Sequence, residues 1–391
     1  MHRDLQAALV RRVLAHLEQR TTDAEAAPST VPVAAYADPA RLERERARLF
    51  RDLPLAIGHA SQLPAPGDFI THDATGAPLL VVRTDDGAVA AYLNVCRHRG
   101  TRVEAAPCGQ RKAFVCPYHA WSYGRDGRLL GVPHEDGFAG LDRDARGLVR
   151  VPAGVAAGFV FVRPRPPAPG EALDLGPELA AWLGPLAADL DGFGCATSHV
   201  YDPRTQARAL SWKLAIDVFL ESYHLRTTHR STIYGMFFDN LGLVDPVGPH
   251  TRNVFPKRSI RELAALPDLA ARPESEWSLR RHANVLFHLF PNTLILVQPD
   301  HAAVLHLWPD GPARAVLTSY TLVLEPPATD KARAYWDANN KILYDAIAED
   351  FQMGESIQRG LASGANQELV FGAFEHALAH FHRQIELHAA T

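Results

Sequence analysis

Cys96-Arg97-His98 and, after a gap of seventeen residues, Cys116-Pro117-Tyr118-His119 decide how this chain reads. Each segment pairs one cysteine with one histidine. Together they supply two thiolates and two neutral imidazoles, enough to close a metal site, and that donor set suits zinc or an iron–sulfur centre. Zinc knuckles usually draw both ligands of a loop from one residue type. Two loops that each bring one Cys and one His can instead grip both irons of a [2Fe–2S] cluster, thiolates on one iron and imidazoles on the other. The pattern favours the cluster.

The chain around this motif is long and ordinary in composition. Its 391 residues suggest two domains, and 47% hydrophobic with 21% charged residues is a globular balance. A net charge of −4 without a basic block makes nucleic acid an unexpected partner. Met1 to Glu25 is charged throughout and lacks the apolar core of a signal peptide. No apolar run approaches the ~18 residues that span a bilayer; the longest, around Val155 to Val162, is broken by glycine. No membrane is expected. Of four cysteines, Cys108 and Cys195 remain outside the motif and read as buried free thiols, so the cytoplasm is the expected compartment.

Leu5, Leu9, Val13 and Leu17 at helical spacing predict a helix over 3–20, followed by an extended Ala/Thr/Pro arm over 21–37. Asp38-Pro39 opens a helix over 40–51. From about 55 to 165 short strands alternate with Gly and Asp turns, among them Asp68–His72, Leu79–Arg83 and Val89–Asn94, the last two joined by Asp85-Asp86-Gly87. The Pro-rich stretch 163–170 reads as a linker. Expected domains are thus 1–37 (helix and arm), 38–165 (cluster domain) and 171–391. In the last, a helix over 178–189, strand-like 196–201 and 206–212, and a helix over 213–229 precede strands at 284–290, 293–298, 303–308 and 314–325. Helices over Lys331–Leu361 and Gln367–Leu387 close the chain. The expected class is α+β.

A second donor set sits on the predicted helix: Glu221, His224 and His229. Glu221 and His224 are three apart and share a helical face. His229 lies five further on, where a bend can swing it back. Two histidines want one carboxylate to complete a facial triad that holds Fe(II) and leaves positions open for O2 and substrate. Asp350 on the late helix is the best candidate, with Asp345 and Glu349 as rivals. A lone helical histidine pair is more often structural, but a redox cluster upstream changes that balance. A bare electron carrier needs about a hundred residues, and a di-iron bundle needs two Glu-x-x-His units where only Glu221 to His224 occurs.

The two sets together, with the flanks Cys96-x-His98-Arg99-Gly100, Cys116-Pro-Tyr-His119-x-Trp121-x-Tyr123 and Ser211-Trp212-Lys213, resemble the α subunit of a Rieske non-haem iron oxygenase. The resemblance covers residues 38–385. It implies an antiparallel Rieske domain and a helix-grip catalytic domain. It also implies a [2Fe–2S] cluster on Cys96, His98, Cys116 and His119, and a mononuclear Fe(II) on His224, His229 and Asp350. It gives Glu221 the place of a bridging carboxylate between an iron-ligand histidine and a cluster histidine (here His119) of the neighbouring subunit, usually in a homotrimer. Most ring-hydroxylating members carry Asp there; Glu resembles carnitine- and betaine-type monooxygenases. Asp217, one turn earlier, joins that hydrogen-bond network or is a solvated acid.

The implied function is O2-dependent oxidation of a small organic substrate, by monooxygenation or oxidative demethylation, with arene cis-dihydroxylation as the alternative. A Rieske electron-transfer protein with a vestigial second site is the non-enzymatic reading, and a zinc-stabilised binding module another. No Gly-x-Gly-x-x-Gly and no further cysteine set is present, so a separate NAD(P)H-dependent reductase, with or without a ferredoxin, is the expected electron donor. Trp121 and Tyr123 are expected to pack over the cluster. Arg97 and Arg99 are expected to hold the loop through carboxylates or to attract an acidic partner. His376, His380 and His382 read as packed histidines rather than a zinc site. Among His282, His288, His301 and His306, His288 is expected nearest the pocket, and Phe237-Phe238 are expected in the core.

Overall fold

In the computed structural model, which describes residues 1–273 and 276–390, the chain divides into two compact units. One is Arg46–Trp182; the other joins Met1–Glu45 to the chain from Leu183 onward.

The first unit is antiparallel β. Val89–Leu93, Leu79–Arg83 and Asp68–His72 pair in succession, flanked by the short strands Arg150–Val151 and Cys108–Gln110. Gly87, at φ 82°, turns the chain between the first two, as the Asp-Asp-Gly sequence predicts. A second sheet pairs Ala153–Ala156, Phe159–Val162 and Leu55–His59, and a third, Phe114–Val115, Ser122–Tyr123 and Leu129–Gly131, carries the second Cys/His loop. Phe69, Leu80, Phe114, Trp121 and Tyr123 form one apolar cluster that includes Cys96 and Cys116. The Pro-rich stretch is anchored rather than loose: Arg163 Nη1 is 2.5 Å from Glu171 Oε1 and Arg165 Nε is 2.9 Å from Asp52 Oδ1.

The second unit wraps a seven-stranded antiparallel sheet beside the helix Asp330–Leu361. In space the strands run His199–Arg208, Arg314–Val323, His301–Gly311, Thr293–Val297, Ala283–Leu289, His250–Pro256 and Leu243–Val247. The last two were not expected. Asn340, Ile347, Asp350, Gly354 and Gln358 of the long helix are buried at helical spacing. Polar ties fix it: Thr321 Oγ1 donates to Asn340 Oδ1 at 2.7 Å, and Ser211 N donates to Gln358 Oε1 at 2.8 Å. At Gly354 the helix approaches Leu210 closely: a Cβ there would lie 2.6 Å from Leu210 Cδ1, so that side chain would have to shift. The N-terminal helix forms over Arg3–Gln19, and the arm contributes the strand Ser29–Pro32, paired with Glu368–Phe371 ahead of the last helix, His376–Ala389.

One expected element does not form. The helix predicted over 213–229 stops at Asp217 and resumes only as the single turn Leu225–Thr228. The chain tightens after Asp217, with Phe219 N and Leu220 N donating three residues back, and the Glu221 carboxylate then keeps the helix from resuming at once. Its Oε2 accepts from the backbone N–H groups of Tyr223 and His224, which a continuous helix would send to carbonyls four residues back. No described helix is long and apolar enough to cross a membrane.

Candidate metal centres and substrate cavity

The two Cys/His loops share one backbone pattern. Cys96 N donates to Thr101 O and Gly100 N to Cys96 O, at 2.8 and 2.9 Å. Cys116 N donates to Trp121 O and Ala120 N to Cys116 O, at 2.8 and 3.0 Å. The fifth residue of each loop is left-handed, Gly100 at φ 82° and Ala120 at φ 56°. Both cysteines are buried while His98 and His119 are half-buried, so the thiolate end lies in the core and the imidazole end towards solvent. The two imidazole rings lie 4.7 Å apart. Among the described residues, buried His119 Nδ1 has no hydrogen-bond partner, which suits a metal-ligating nitrogen. This donor set fits a [2Fe–2S] cluster.

Neighbouring side chains behave as the sequence suggests, with one difference. Trp121 stacks on His98 at 4.9 Å and 10°. The Tyr123 hydroxyl lies 3.3 Å from Cys96 Sγ and accepts from Arg97 N at 2.9 Å. Arg99 holds the loop through Tyr118, donating to its hydroxyl at 3.1 Å, and has no carboxylate partner among the described residues. Asn94, fully buried, pins the first loop: its Oδ1 accepts from Val103 N and Glu104 N, and its Nδ2 donates to Glu104 O at 2.7 Å.

In the other unit, the broken helix and the long helix converge. His224 Nε2, His229 Nε2 and Asp350 Oδ1 approach one another at 3.2 Å (between the rings), 3.3 Å (His224 to Asp350) and 2.8 Å (His229 to Asp350). Asp350 Oδ1 is buried, and despite these approaches it is not aligned for a hydrogen bond. Three donor atoms aimed at a common point suit a metal. Ligand bonds of about 2.1 Å at right angles would set them about 3.0 Å apart. Burial lowers the His224 pKa, but Asp350 and Glu221 outweigh it and push it up to about 10.

The opposite ring nitrogens are also held. Glu221 Oε1 bonds His224 Nδ1, and Glu349 Oε2 lies 2.7 Å from His229 Nδ1 while accepting from Thr232 Oγ1 at 2.7 Å. Glu349 thus stands behind a histidine rather than beside Asp350 as a rival. Asp345, the other rival, is turned outward, 2.5 Å from Lys341 Nζ. Asp217 is neither solvated nor bonded to Glu221. It is buried, accepts from the Tyr36 hydroxyl at 2.6 Å, and lies 3.1 Å from His382 Nε2. Burial, then the Asp217 charge, raises the Tyr36 pKa well above its usual value. Both partners lie far off in sequence, which is why this network was not foreseen.

Beside the donor atoms is a cavity of about 100 Å³. Phe219, Phe237, Phe255, Leu286, Leu305 and Ile347 wall it, with Asn284 as the polar residue away from the triad. Phe237 is therefore a pocket residue. His288 is not: it shares a strand face with Asn284 and Leu286 but lies past the cavity, 3.1 Å from Pro291 O and edge-on to Phe381. Cys195 is buried, which pushes its thiol up to about 12, whereas Cys108 is exposed on an edge strand, contrary to expectation.

The comparisons agree with this arrangement. Residues 54–148 match the Rieske [2Fe-2S] domain, and residues 196–389 match the ring hydroxylating alpha subunit (catalytic domain). The chain is 29% identical to the glycine betaine monooxygenase oxygenase subunit of Chromohalobacter salexigens, over 86% of this chain and 80% of that one. It is 33% identical to the chlorobenzene dioxygenase subunit alpha of a Cupriavidus species, over 55% of this chain and 47% of the relative. A quaternary ammonium Rieske monooxygenase crystallised with L-carnitine shares the fold at a TM-score of 0.75, with 21% identity over 92% of this chain and 95% of that one. The chain belongs to the Rieske non-haem iron oxygenases as an α subunit, the oxygenase component that unites a [2Fe–2S] cluster with a mononuclear iron.

Proposed function

We propose that this oxygenase inserts one oxygen atom into a terminal C–H of a small organic molecule, such as a methyl on nitrogen or oxygen. One O2, two electrons and two protons give the alcohol and one water; on an N- or O-methyl, the hydroxymethyl product collapses to formaldehyde and the demethylated compound. The size of the inner chamber carries this reading. An apolar cavity of about 150 Å³ takes benzene; this one, at about 100 Å³, suits an alkyl tip better than an arene ring. Glu221, where most ring hydroxylases carry Asp, supports the same choice.

Bound iron supplies O2 activation and the cluster supplies electrons one at a time. In this reading His224, His229 and Asp350 hold the iron from one side, and Cys96, His98, Cys116 and His119 hold the cluster. Glu221 and Glu349 fix the Nδ1–H tautomers, so that each Nε2 keeps its lone pair for the metal. The phenylalanine and leucine walls exclude water. Glu221 also borders a second, outer pocket of about 360 Å³, shared with Asp217 and Glu375. A side chain between the iron chamber and an outer pocket is suited to bridge to the cluster of a neighbouring subunit in a homotrimer. Electrons enter from a separate NAD(P)H-dependent reductase or ferredoxin, and the setting is the cytoplasm.

The test is product analysis under O2, with a surrogate reductase, against methyl amines, methyl ethers and arenes. Formaldehyde or a terminal alcohol is expected. A cis-dihydrodiol from the arenes with no alkyl oxidation would overturn the proposal in favour of dihydroxylation.

A further inference from the structure

The inner chamber continues outward. Phe237, Asn284, Leu296 and Leu343 border both it and an outer compartment of about 310 Å³. There the lining turns polar, with Lys257, Asp300, His301 and Tyr335 on its wall. Both oxygens of Asp300 are engaged: Oδ1 lies 2.7 Å from His301 Nδ1, and Oδ2 accepts from the Tyr335 hydroxyl at 2.5 Å. Lys257 differs. Its backbone is fixed, with N donating to His282 O at 2.8 Å and an antiparallel bridge to Phe237. Among the described residues, its ammonium has no ion-pair or hydrogen-bond partner; Asp300 acts on it only at a distance. The bridge sets the two Cα atoms roughly 4.5–5.5 Å apart, so the lysine stands at the mouth of the inner chamber. Burial lowers its pKa, with Asp300 acting the other way. A half-buried cation without a contact counter-charge is a group that a substrate anion would satisfy.

We infer that the substrate is an organic carboxylate, its anionic end on Lys257 in the outer compartment and its alkyl end in the inner chamber. This rests on the oxygenase reading above and names its substrate class. Asn284, at the boundary with its Oδ1 buried and unpartnered, offers a hydrogen bond to a polar atom midway along such a molecule.

The experiment is calorimetric titration of the full chain loaded with cluster and iron, under argon and without reductant, so that no turnover occurs. The probes are straight-chain carboxylates from butanoate to octanoate and their primary amides. The best-fitting acid is expected to bind about tenfold or more tighter than its amide, with the preference shrinking as salt rises. Lys257→Met and Lys257→Gln should abolish the preference, and Lys257→Arg should keep most of it. Equal binding of acid and amide, no binding of any acid, or a preference that survives in Lys257→Met each overturns the inference. Should the neutral variants fail to fold, the acid-to-amide ratio of the unaltered chain and its salt dependence decide the matter. The oxygenase reading fails separately: acids that bind but yield no oxygenated product under O2 with electrons leave the anion site standing and overturn the chemistry.

Discussion

Glu349 Oε2 lies 2.7 Å from His229 Nδ1, on the side of the ring opposite the nitrogen that faces Asp350. A carboxylate there fixes the tautomer and raises the basicity of the ligand nitrogen, and losing such a partner typically costs about 10–100-fold in metal affinity. Glu349→Ala should therefore lose mononuclear iron by that order while the visible spectrum of the cluster stays intact. Iron titration of the two variants Glu349→Ala and Glu349→Gln checks this, the amide retaining part of the affinity. Unchanged iron binding in both would remove Glu349 from the site.

Glu221 holds the other histidine, His224, and also accepts two backbone N–H groups. Glu221→Gln keeps one oxygen for the ring but sets its amide N–H groups against Tyr223 N and His224 N. It should load both metals yet lose nearly all turnover, because the anionic link proposed above is gone. Rapid mixing of the reduced enzyme with O2 and substrate reads this directly as slowed reoxidation of the cluster. Native speed at native metal content sinks the bridging role.

Asn94 ties three backbone groups beside the first cluster loop, buried Val103 N and half-buried Glu104 N and O. Truncation orphans buried Val103 N and leaves the Glu104 groups to water, so Asn94→Ala should destabilise the cluster domain by about 1–3 kcal/mol. A urea midpoint read from cluster absorbance will show it; a loss well under one kcal/mol would mean water replaces the side chain.

The loop counterparts Gly100 and Ala120 are both left-handed, but only one is a glycine. Ala120→Gly should stabilise by roughly 1 kcal/mol and Gly100→Ala should cost a similar amount. A Cβ at Gly100 would meet no atom within 4 Å, so the penalty there is conformational alone. Thermal bleaching of the cluster should shift in opposite directions for the two variants; shifts of the same sign contradict the account.

His288 is fully buried, and burial pushes its pKa down to about 3, with the Pro291 carbonyl acting the other way. The unfolded chain therefore takes up a proton near pH 6.5 that the folded chain refuses. Its stabilising contribution is complete above pH 6.5 and falls as pH drops towards 3, by up to about 1.4 kcal/mol per unit. Between pH 7.5 and 5 the urea stability should fall less steeply in His288→Asn than in the unaltered chain. Identical slopes would show that His288 is protonated in place.

Much of the architecture was legible because it is written locally. The cluster loops lie within twenty-four residues, Cys96 to His119, and the long helix announces itself by periodicity. Asp350 could be paired with His224 and His229 because few acids sit on that helix's buried face. What escaped depends on distant partners. His250–Pro256 does not read as a strand because its buried His250, Thr251, Arg252 and Asn253 show no apolar alternation. Their partners come from across the fold: Arg252 meets Asp189 and Asp245, and Asn253 Nδ2 donates to Leu286 O. The interruption after Asp217 depends on a side chain folding back onto its own backbone, which propensity does not encode. Asp217 itself was open between two surroundings and entered a third, with Tyr36 and His382.

The narrow chamber beside the triad has a consequence for regioselectivity. If Lys257 holds the anionic end as inferred above, the span from that lysine to the donor atoms acts as a ruler, and the carbon that reacts is counted from the anchored end. Linear acids shorter than the span leave their terminus short of the donor atoms, while longer ones present an inner carbon there.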